Sequence, residues 1–272
     1  MLNEQEKEMN DMIAQVSGLP VFTTDLYLPR YKDGIFGRWK ISHALNTIAP
    51  GYSGNPYLTT HLPVLSRKSD KHPDVWETWM SLAPYELESQ ELGCRYAYGH
   101  TVIMGLGMGW IAVNAALSPH VTKVTIIELD KEVIELFQCS GVMDDLSEEV
   151  KEKITIVNAN SLEWKSEEKV DFLYADIWLY LDEPQTLSDV RQMQKNLNAE
   201  MIYFWGQEIT LYAESLKLIN DEEALTPEIV RKCTDKEIKL PLLLPEHMDY
   251  AEFISKVMNY RKGRNLSLGN HS

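Results

Sequence analysis

The sequence predicts an α/β protein built on a doubly wound, mostly parallel sheet with helices on both faces. Five short apolar runs alternate with helical stretches through the middle of the 272-residue chain. The runs are nearly continuous in apolar residues, which is typical of parallel strands covered on both faces. A turn with alternating glycines follows the first run, as expected where such a sheet binds a ligand.

The best-defined unit spans residues 99–136 and has the order strand, turn, helix, strand. An apolar run at 101–104 leads into the glycine turn, and a small apolar helix at 110–117 follows it. A second β-branched run at 121–127 ends on Glu128. This order is typical of a nucleotide-binding βαβ unit.

Each position in this unit has a physical reason. Gly105, Gly107 and Gly109 allow backbone conformations closed to other residues and let a ligand approach without a Cβ in the way. The helix that follows offers free N–H groups and a partial positive charge. Glu128 lies 19 residues after Gly109, near the roughly 20-residue separation expected of an acid that binds ribose hydroxyls.

The form of the turn narrows the choice of nucleotide. A dinucleotide fingerprint needs a small third residue for close packing of helix and strand, and Trp110 is too large for that position. The G-x-G-x-G turn followed by an acidic strand end resembles the class I, Rossmann-like S-adenosylmethionine-dependent methyltransferases and their structural relatives, the spermidine synthases. The resemblance implies that S-adenosyl-L-methionine is the cofactor and that the three glycines and Glu128 bind it.

Two later strand ends extend the resemblance. After a third strand at 153–157, the family usually has an acid that accepts a hydrogen bond from the adenine amino group. Asn160, followed by Ser161, stands there, and its amide carbonyl can accept the same bond. A fourth strand at 170–175 ends on Asp176, which is expected at the active centre because ligands lie beyond the carboxyl ends of parallel strands. Asp176 is therefore a candidate both for binding the cofactor and for catalysis. A helix-capping or turn aspartate is the alternative for Asp176.

Methyl transfer from a sulfonium is an in-line displacement, so the protein mainly aligns the reactants and excludes water. A base is needed only where the nucleophile is protonated, and Asp176 is the candidate for that base or for orienting an amine. Tyr174, Trp178 and Trp205 are candidates for facing a cation, with core packing as the alternative. Trp178 and Tyr180 lie in a loop that is expected to shape a substrate pocket, and Trp205 is a further candidate for that pocket.

The chain before the core predicts a helix over 2–17, then an aromatic stretch at 21–57 broken by Pro and Gly. Such a stretch is expected to form short strands or a folded-over lid, with one short helix. It either packs on the core as a small subdomain or closes over the substrate. Two helices are predicted over 74–92, interrupted at Pro84. The text W-E-x-W-M and P-Y-E resembles the segment before the turn in guanidinoacetate methyltransferases and in uncharacterised bacterial and phage methyltransferase-like proteins. In several methyltransferase families this segment lines the methionine end of the cofactor. The resemblance therefore makes four residues candidates for the site, with solvated or packed helix faces as the alternative: Glu77, Met80, Tyr85 and Glu86. Glu77 and Tyr85 are the candidates for the substrate pocket.

Beyond the fifth strand at 201–205 the family pattern fades, and helices are predicted around 209–219, 227–233 and 250–260. The sequence thus predicts a helical or irregular N-terminal subdomain or lid at 1–97, a cofactor-binding core at 98–215 and a helical extension at 216–272.

Composition limits the partners. A net charge of −15, from 41 acids and 26 bases, argues against a nucleic-acid substrate held by a wide basic surface and favours a small-molecule, peptide or protein acceptor. No apolar run approaches a membrane span, and the polar N-terminus is unlike a signal peptide, so a cytoplasmic location is expected. Scattered cysteines and histidines predict no metal site. A homodimer is left open.

Two other functions stay open. The text VTIIELDKEVIEL is similar to the matching stretch of spermidine synthases, which are aminopropyltransferases. That family usually has acids where this chain has Met108 and, a few residues past Asp176, the run Ile177-Trp178-Leu179. The third hypothesis is a non-catalytic cofactor-binding or interaction protein, since fold alone does not establish chemistry.

Overall fold

The computed structural model describes residues 12–219 and 224–264. Of the helix predicted over 2–17, residues 12–17 are helical and the remainder lies outside the described residues.

An antiparallel sheet of four strands precedes the core. Its strands are β1 (Gly34–Phe36), β2 (Trp39–Pro50), β3 (Pro56–Lys68) and β4 (Trp76–Ser81), paired in chain order. The helix predicted at the start of 74–92 is therefore wrong. Leu65 and Met80 pair across β3 and β4, and Trp and Thr suit an extended strand that has such a neighbour. The helical or irregular N-terminal segment of the prediction is thus largely a β-sheet.

The core is the predicted parallel sheet. Its strands are β5 (Gly99–Met104), β6 (Val121–Glu128), β7 (Ile154–Asn158), β8 (Phe172–Ala175) and β9 (Met201–Phe204). All four pairings are parallel, and the order is β7-β6-β5-β8-β9. From β5 the chain adds β6 and β7 on one side of the sheet and then β8 and β9 on the other side. In an open α/β sheet, the point where the strand order reverses in this way leaves a crevice at the carboxyl ends of the strands. The fold is therefore Rossmann-like, as the sequence predicts.

Helices flank this sheet and connect its strands. They are α1 (Pro84–Tyr96), α2 (Trp110–Leu117), α3 (Lys131–Cys139), α4 (Glu148–Glu152), α5 (Thr186–Leu197) and α6 (Gln207–Ser215). α2 has the predicted bounds. α3 begins where the Asp130 side chain accepts the Glu132 N–H at 2.9 Å, a standard helix cap.

The C-terminal part is helical, as predicted. It contains α7 (Pro227–Cys233), one π-helical turn (Thr234–Ile238) and α8 (Tyr250–Gly263). In the ranges that the structure describes, no strand follows β9, and the apolar run at 240–244 makes an isolated bridge between Leu242 and Ile202. Division of the chain at residues 97 and 215 stays a prediction.

The N-terminal segment packs against the glycine-turn end of the core through polar contacts. The Tyr31 hydroxyl donates to the Met108 carbonyl at 2.9 Å, and the Trp39 indole donates to Asp130 at 2.8 Å. The four-stranded sheet therefore covers the carboxyl ends of β5 and β6. None of the helices within 12–219 and 224–264 is long and apolar enough to span a bilayer.

Candidate active site

A cavity of about 580 Å³ lies between the carboxyl ends of the parallel strands and the antiparallel sheet. Its volume falls within the roughly 300–1,000 Å³ typical of small-molecule sites. The sequence-predicted residues that line it are Met80, Glu86, Gly105, Gly107, Gly109, Glu128, Asn160, Ser161, Tyr174, Asp176, Trp178 and Trp205. The structure thus brings together residues from the ends of all five parallel strands, from β4 and from α1.

The turn after β5 needs its glycines. Gly105, Gly107 and Gly109 have φ values of 96°, 49° and 75°. A Cβ on Gly105 would overlap the main-chain carbonyl oxygen of Asp176, and a Cβ on Gly107 would lie 2.6 Å from the Met80 sulphur. The turn therefore passes closely between β8 and the covering sheet, with its backbone open to the cavity.

Glu128 stands at the end of β6 on one side of this turn. One carboxylate oxygen accepts the Leu106 N–H at 2.9 Å and the other accepts the Asp130 N–H at 2.8 Å. Burial raises the pKa of Glu128, and these N–H groups partly offset the rise. A carboxylate has about four acceptor positions, so lone pairs remain for ligand hydroxyls.

Asn160 follows β7, two strands from the turn. Its amide oxygen accepts the Leu162 N–H at 3.0 Å, and its amide nitrogen donates to Glu163 at 3.2 Å. The carbonyl has a second lone pair with which it can accept a further hydrogen bond. Ser161 is buried beside it. The predicted role of this pair in adenine recognition stays a prediction.

Asp176 stands on the other side of the turn, at the end of β8, and Glu86 reaches the same part of the cavity from α1. The Ser81 N–H donates to Glu86 at 2.6 Å. Burial raises the pKa of Asp176 to about 7 and that of Glu86 to about 8, and the Asp176 charge adds to the second shift. The Tyr174 hydroxyl lies near enough to Asp176 to lower its pKa in part, although it makes no hydrogen bond of standard geometry.

Two tryptophans complete this end of the cavity. The Trp178 N–H donates to Asp189 at 2.9 Å, and the Trp205 N–H donates to the Ser89 hydroxyl at 2.8 Å. Both indole donors are thus satisfied by the protein. The tryptophans have only ring carbons left to present to the cavity.

Three residues predicted for the substrate pocket lie outside the cavity. Glu77 is exposed on β4, because that segment is a strand and not the predicted helix. The Tyr85 hydroxyl accepts a hydrogen bond from Arg261 at 2.9 Å, so its polar end is engaged with α8. The side chain of Tyr180 is 51% exposed at the surface.

The sequence missed the contribution of the antiparallel sheet. Trp39 and Trp79 meet edge to face with centroids 5.2 Å apart, and Arg67 lies over the Trp79 ring at 5.5 Å. These three residues, with Gln90 of α1 and Asp130, line the cavity. The aromatic richness of the N-terminal stretch was the available signal, but it did not indicate which aromatic side chains reach the core.

Within the part of the chain that the structure describes, no group of three or more His, Cys, Asp or Glu side chains is arranged to hold a metal ion.

No protein-family model matches the chain, and a search of curated proteins finds no match. Among solved structures, the chain is similar to the glycopeptide N-methyltransferase MtfA complexed with S-adenosyl-L-homocysteine, with 18% identity over 40% of this chain and 43% of that one, at a TM-score of 0.33. It is also similar to a protein of Pyrococcus horikoshii described as a proposed RNA methyltransferase, with 16% identity over 48% and 65% of the two chains and a TM-score of 0.36. The chain is similar as well to the methyltransferase domain of bacterial CtHen1-CN, with 14% identity over 41% of this chain and 60% of that one and a TM-score of 0.32. The matches span less than two thirds of each of these neighbours.

Proposed function

We propose that the protein is an S-adenosyl-L-methionine-dependent methyltransferase. The observation that carries the proposal is the glycine turn at the switch point of the parallel sheet, open to a cavity and placed between two acids, Glu128 and Asp176.

The residues present fit this cofactor. Glu128 is positioned to accept hydrogen bonds from ribose hydroxyls, and Asn160 to accept one from the adenine amino group. The backbone of the turn can approach the ligand because no Cβ intervenes at its glycines. Trp110 is buried immediately after the turn, so the close helix–strand packing of a dinucleotide site has no small residue to support it.

When bound, S-adenosylmethionine supplies a methyl group already activated on a sulfonium. The chain's own residues then have three tasks: to orient an acceptor, to hold its proton where it has one, and to keep water away. Asp176 is placed for the first two tasks. Trp39, Trp79 and Met80 of the covering sheet are placed to exclude water.

The test is calorimetric binding of the purified protein to five ligands: S-adenosylmethionine, S-adenosylhomocysteine, decarboxylated S-adenosylmethionine, methylthioadenosine and NAD. We expect the first two to bind and NAD not to bind. A ligand at about 100 times its Kd stabilises the fold by roughly 2.7 kcal/mol, so a thermal melt gives an independent readout.

A matched pair of variants locates the site. Glu128→Gln removes the charge from the hydrogen bonds to ribose, which are worth about 1.5–3 kcal/mol each, so we expect a Kd for S-adenosylhomocysteine about tenfold to a hundredfold higher. Glu135→Gln alters a carboxylate that pairs with Lys131 on the surface of α3, and should leave the Kd unchanged.

Each outcome of the ligand panel is decisive. Preference for decarboxylated S-adenosylmethionine would overturn the proposed methyl transfer and favour aminopropyl transfer as the reaction. Failure of all five ligands to bind the wild-type protein would overturn the proposal and favour an interaction protein. The ligand panel uses the wild-type protein alone, so its result remains valid even where Glu128→Gln fails to fold.

A further inference from the structure

The end of the cavity beyond Asp176 carries a polar set that the cofactor assignment does not use. Glu86 and Gln90 come from α1, and Tyr174 and Asp176 come from β8 and its end. The Tyr174 hydroxyl is fully buried and has no hydrogen-bond partner of standard geometry. The residues on these two elements are about 90 positions apart in sequence and meet because α1 packs over β8, where a Cβ on Gly93 would touch the Tyr174 ring.

This set has two carboxyl groups and no cation of its own. Among the described residues that line the cavity, Arg67 is the basic side chain, and its guanidinium lies over Trp79 and pairs with Asp70 at 2.9 Å. Glu86 receives one backbone N–H, from Ser81. Burial of carboxyl groups is costly unless they are neutral or gain a positively charged partner. A cationic ligand at this end of the cavity would supply the positively charged partner that the two carboxyl groups lack.

The two tryptophans fit the same ligand. Because the N–H groups of Trp178 and Trp205 already donate to Asp189 and Ser89, neither indole offers a donor to the cavity. What the rings can offer is their aromatic surface, which attracts cations. An anionic acceptor would meet two carboxyl groups and would gain no hydrogen bond from either indole.

Resting on the proposed function, we infer that the acceptor is a primary or secondary amine whose ammonium form enters between Glu86 and Asp176 and is N-methylated there. Asp176, beside the glycine turn, receives the ammonium proton and leaves a neutral amine. The nitrogen lone pair then forms the N–C bond as the C–S bond breaks, and the electron pair of that bond stays on sulphur. The products are a methylated ammonium ion and the neutral thioether S-adenosylhomocysteine. Glu86 accepts a hydrogen bond from an N–H that remains on the amine and keeps the nitrogen in line with the C–S bond that breaks.

The first test uses the wild-type protein saturated with S-adenosylhomocysteine. Calorimetry compares amines with neutral isosteres: benzylamine with benzyl alcohol, and n-butylamine with 1-butanol. A charge-assisted hydrogen bond contributes about 1.5–3 kcal/mol, so each amine should bind at least about tenfold more tightly than its alcohol. Trialanine and its N-acetylated form extend the comparison to a peptide terminus, which separates a free small amine from a peptide amine as the source of the group.

The second test compares variants in the same complex. Glu86→Gln and Asp176→Asn should each weaken amine binding at least about tenfold while changing alcohol binding less than twofold. Glu91→Gln is the matched control, because Glu91 lies on the same helix but pairs with Arg95 at the surface. Mass spectrometry after addition of S-adenosylmethionine and the amines should show a mass increase of one CH2 unit in the amine, a methyl group in place of a hydrogen, for wild type and Glu91→Gln.

The failures can be told apart. Absence of S-adenosylhomocysteine binding overturns the proposed function and this inference with it. If that ligand binds but amines and alcohols bind equally to the wild-type complex, only the amine inference is overturned. Methylation of alcohols, thiols or carboxylic acids in place of amines would likewise overturn only the amine inference. The wild-type comparison decides even where a variant fails to fold.

Discussion

Alanine at Gly105 should disrupt the turn far more than alanine at Gly107, although both glycines have positive φ. Gly105 has a φ of 96°, beyond the left-handed helical region near 60°, whereas Gly107 at 49° lies within it. Placing alanine at positive φ costs about 1–2 kcal/mol at either position. The positions differ in what the added methyl group meets.

At Gly105 the Cβ would overlap the backbone carbonyl oxygen of Asp176, which β8 holds in place. Overpacking against a fixed group adds about 1–3 kcal/mol, so Gly105→Ala should lower the free energy of unfolding by about 2–5 kcal/mol. At Gly107 the methyl group meets the flexible end of Met80, 2.6 Å away, which can move. Gly107→Ala should therefore cost only the strain, about 1–2 kcal/mol.

Urea unfolding followed by circular dichroism measures both values, provided that the slope with denaturant is unchanged. Equal destabilisation by the two substitutions, or a smaller loss for Gly105→Ala, would refute the assignment of a fixed backbone contact to this turn.

Burial raises the pKa of Asp176 from 3.8 to about 7, so the folded protein keeps a proton that the unfolded chain loses. The stability that this group contributes is fully present below about pH 4 and is lost as the pH rises towards 7, by up to about 1.4 kcal/mol per pH unit. Urea unfolding at a series of pH values should therefore show a smaller loss of unfolding free energy with rising pH for Asp176→Asn than for wild type. Tyr250→Phe removes a 2.7 Å hydrogen bond to the buried carboxyl of Glu208 and should lower the unfolding free energy by about 1–3 kcal/mol in the same assay. Arg261→Met breaks the nearly buried ion pair with Asp182, 3.0 Å long, and should lower the free energy of unfolding by about 3–5 kcal/mol, measured as a lower urea midpoint.

Exposed counterparts serve as controls. Tyr212→Phe removes a hydroxyl that accepts a hydrogen bond from Lys262 at the surface. Lys256→Met breaks an exposed ion pair with Glu252. Each should change the unfolding free energy by less than about 1 kcal/mol, because solvent screens exposed pairs. Losses as large as those of Tyr250→Phe and Arg261→Met would contradict the importance given to burial. An equal pH dependence in wild type and Asp176→Asn would contradict the raised pKa.

Much of the core was predictable because its signals are local. The strand at 101–104, the glycine turn and the helix at 110–117 follow from apolar runs, glycine spacing and helix length within about 20 residues. The structure places them as β5, the turn and α2. Glu128 and Asp176 were predictable for the same reason, since each directly follows an apolar run and parallel strands end at one edge of the sheet.

The segment at 74–83 shows where local signals fail. Its aromatic residues permit a helix or a strand, and Pro84 predicts only where the element stops. The strand β4 forms because β3 provides hydrogen-bonding partners. Strand formation here depends on a neighbour that is distant in the unfolded chain, and sequence periodicity over six residues carries no information about that neighbour.

By itself, the sequence determined the βαβ unit, the position of its acids and the helical character of the C-terminal part, because each depends on residues close together in the chain. Only the tertiary structure decided that Glu86 stands beside Asp176, that Trp39 and Trp79 cover the cavity, and that Glu77, Tyr85 and Tyr180 lie outside it. These placements depend on how α1 and the antiparallel sheet pack on the parallel sheet. Packing of that kind is set by the shape and burial of whole surfaces, which no short stretch of sequence specifies.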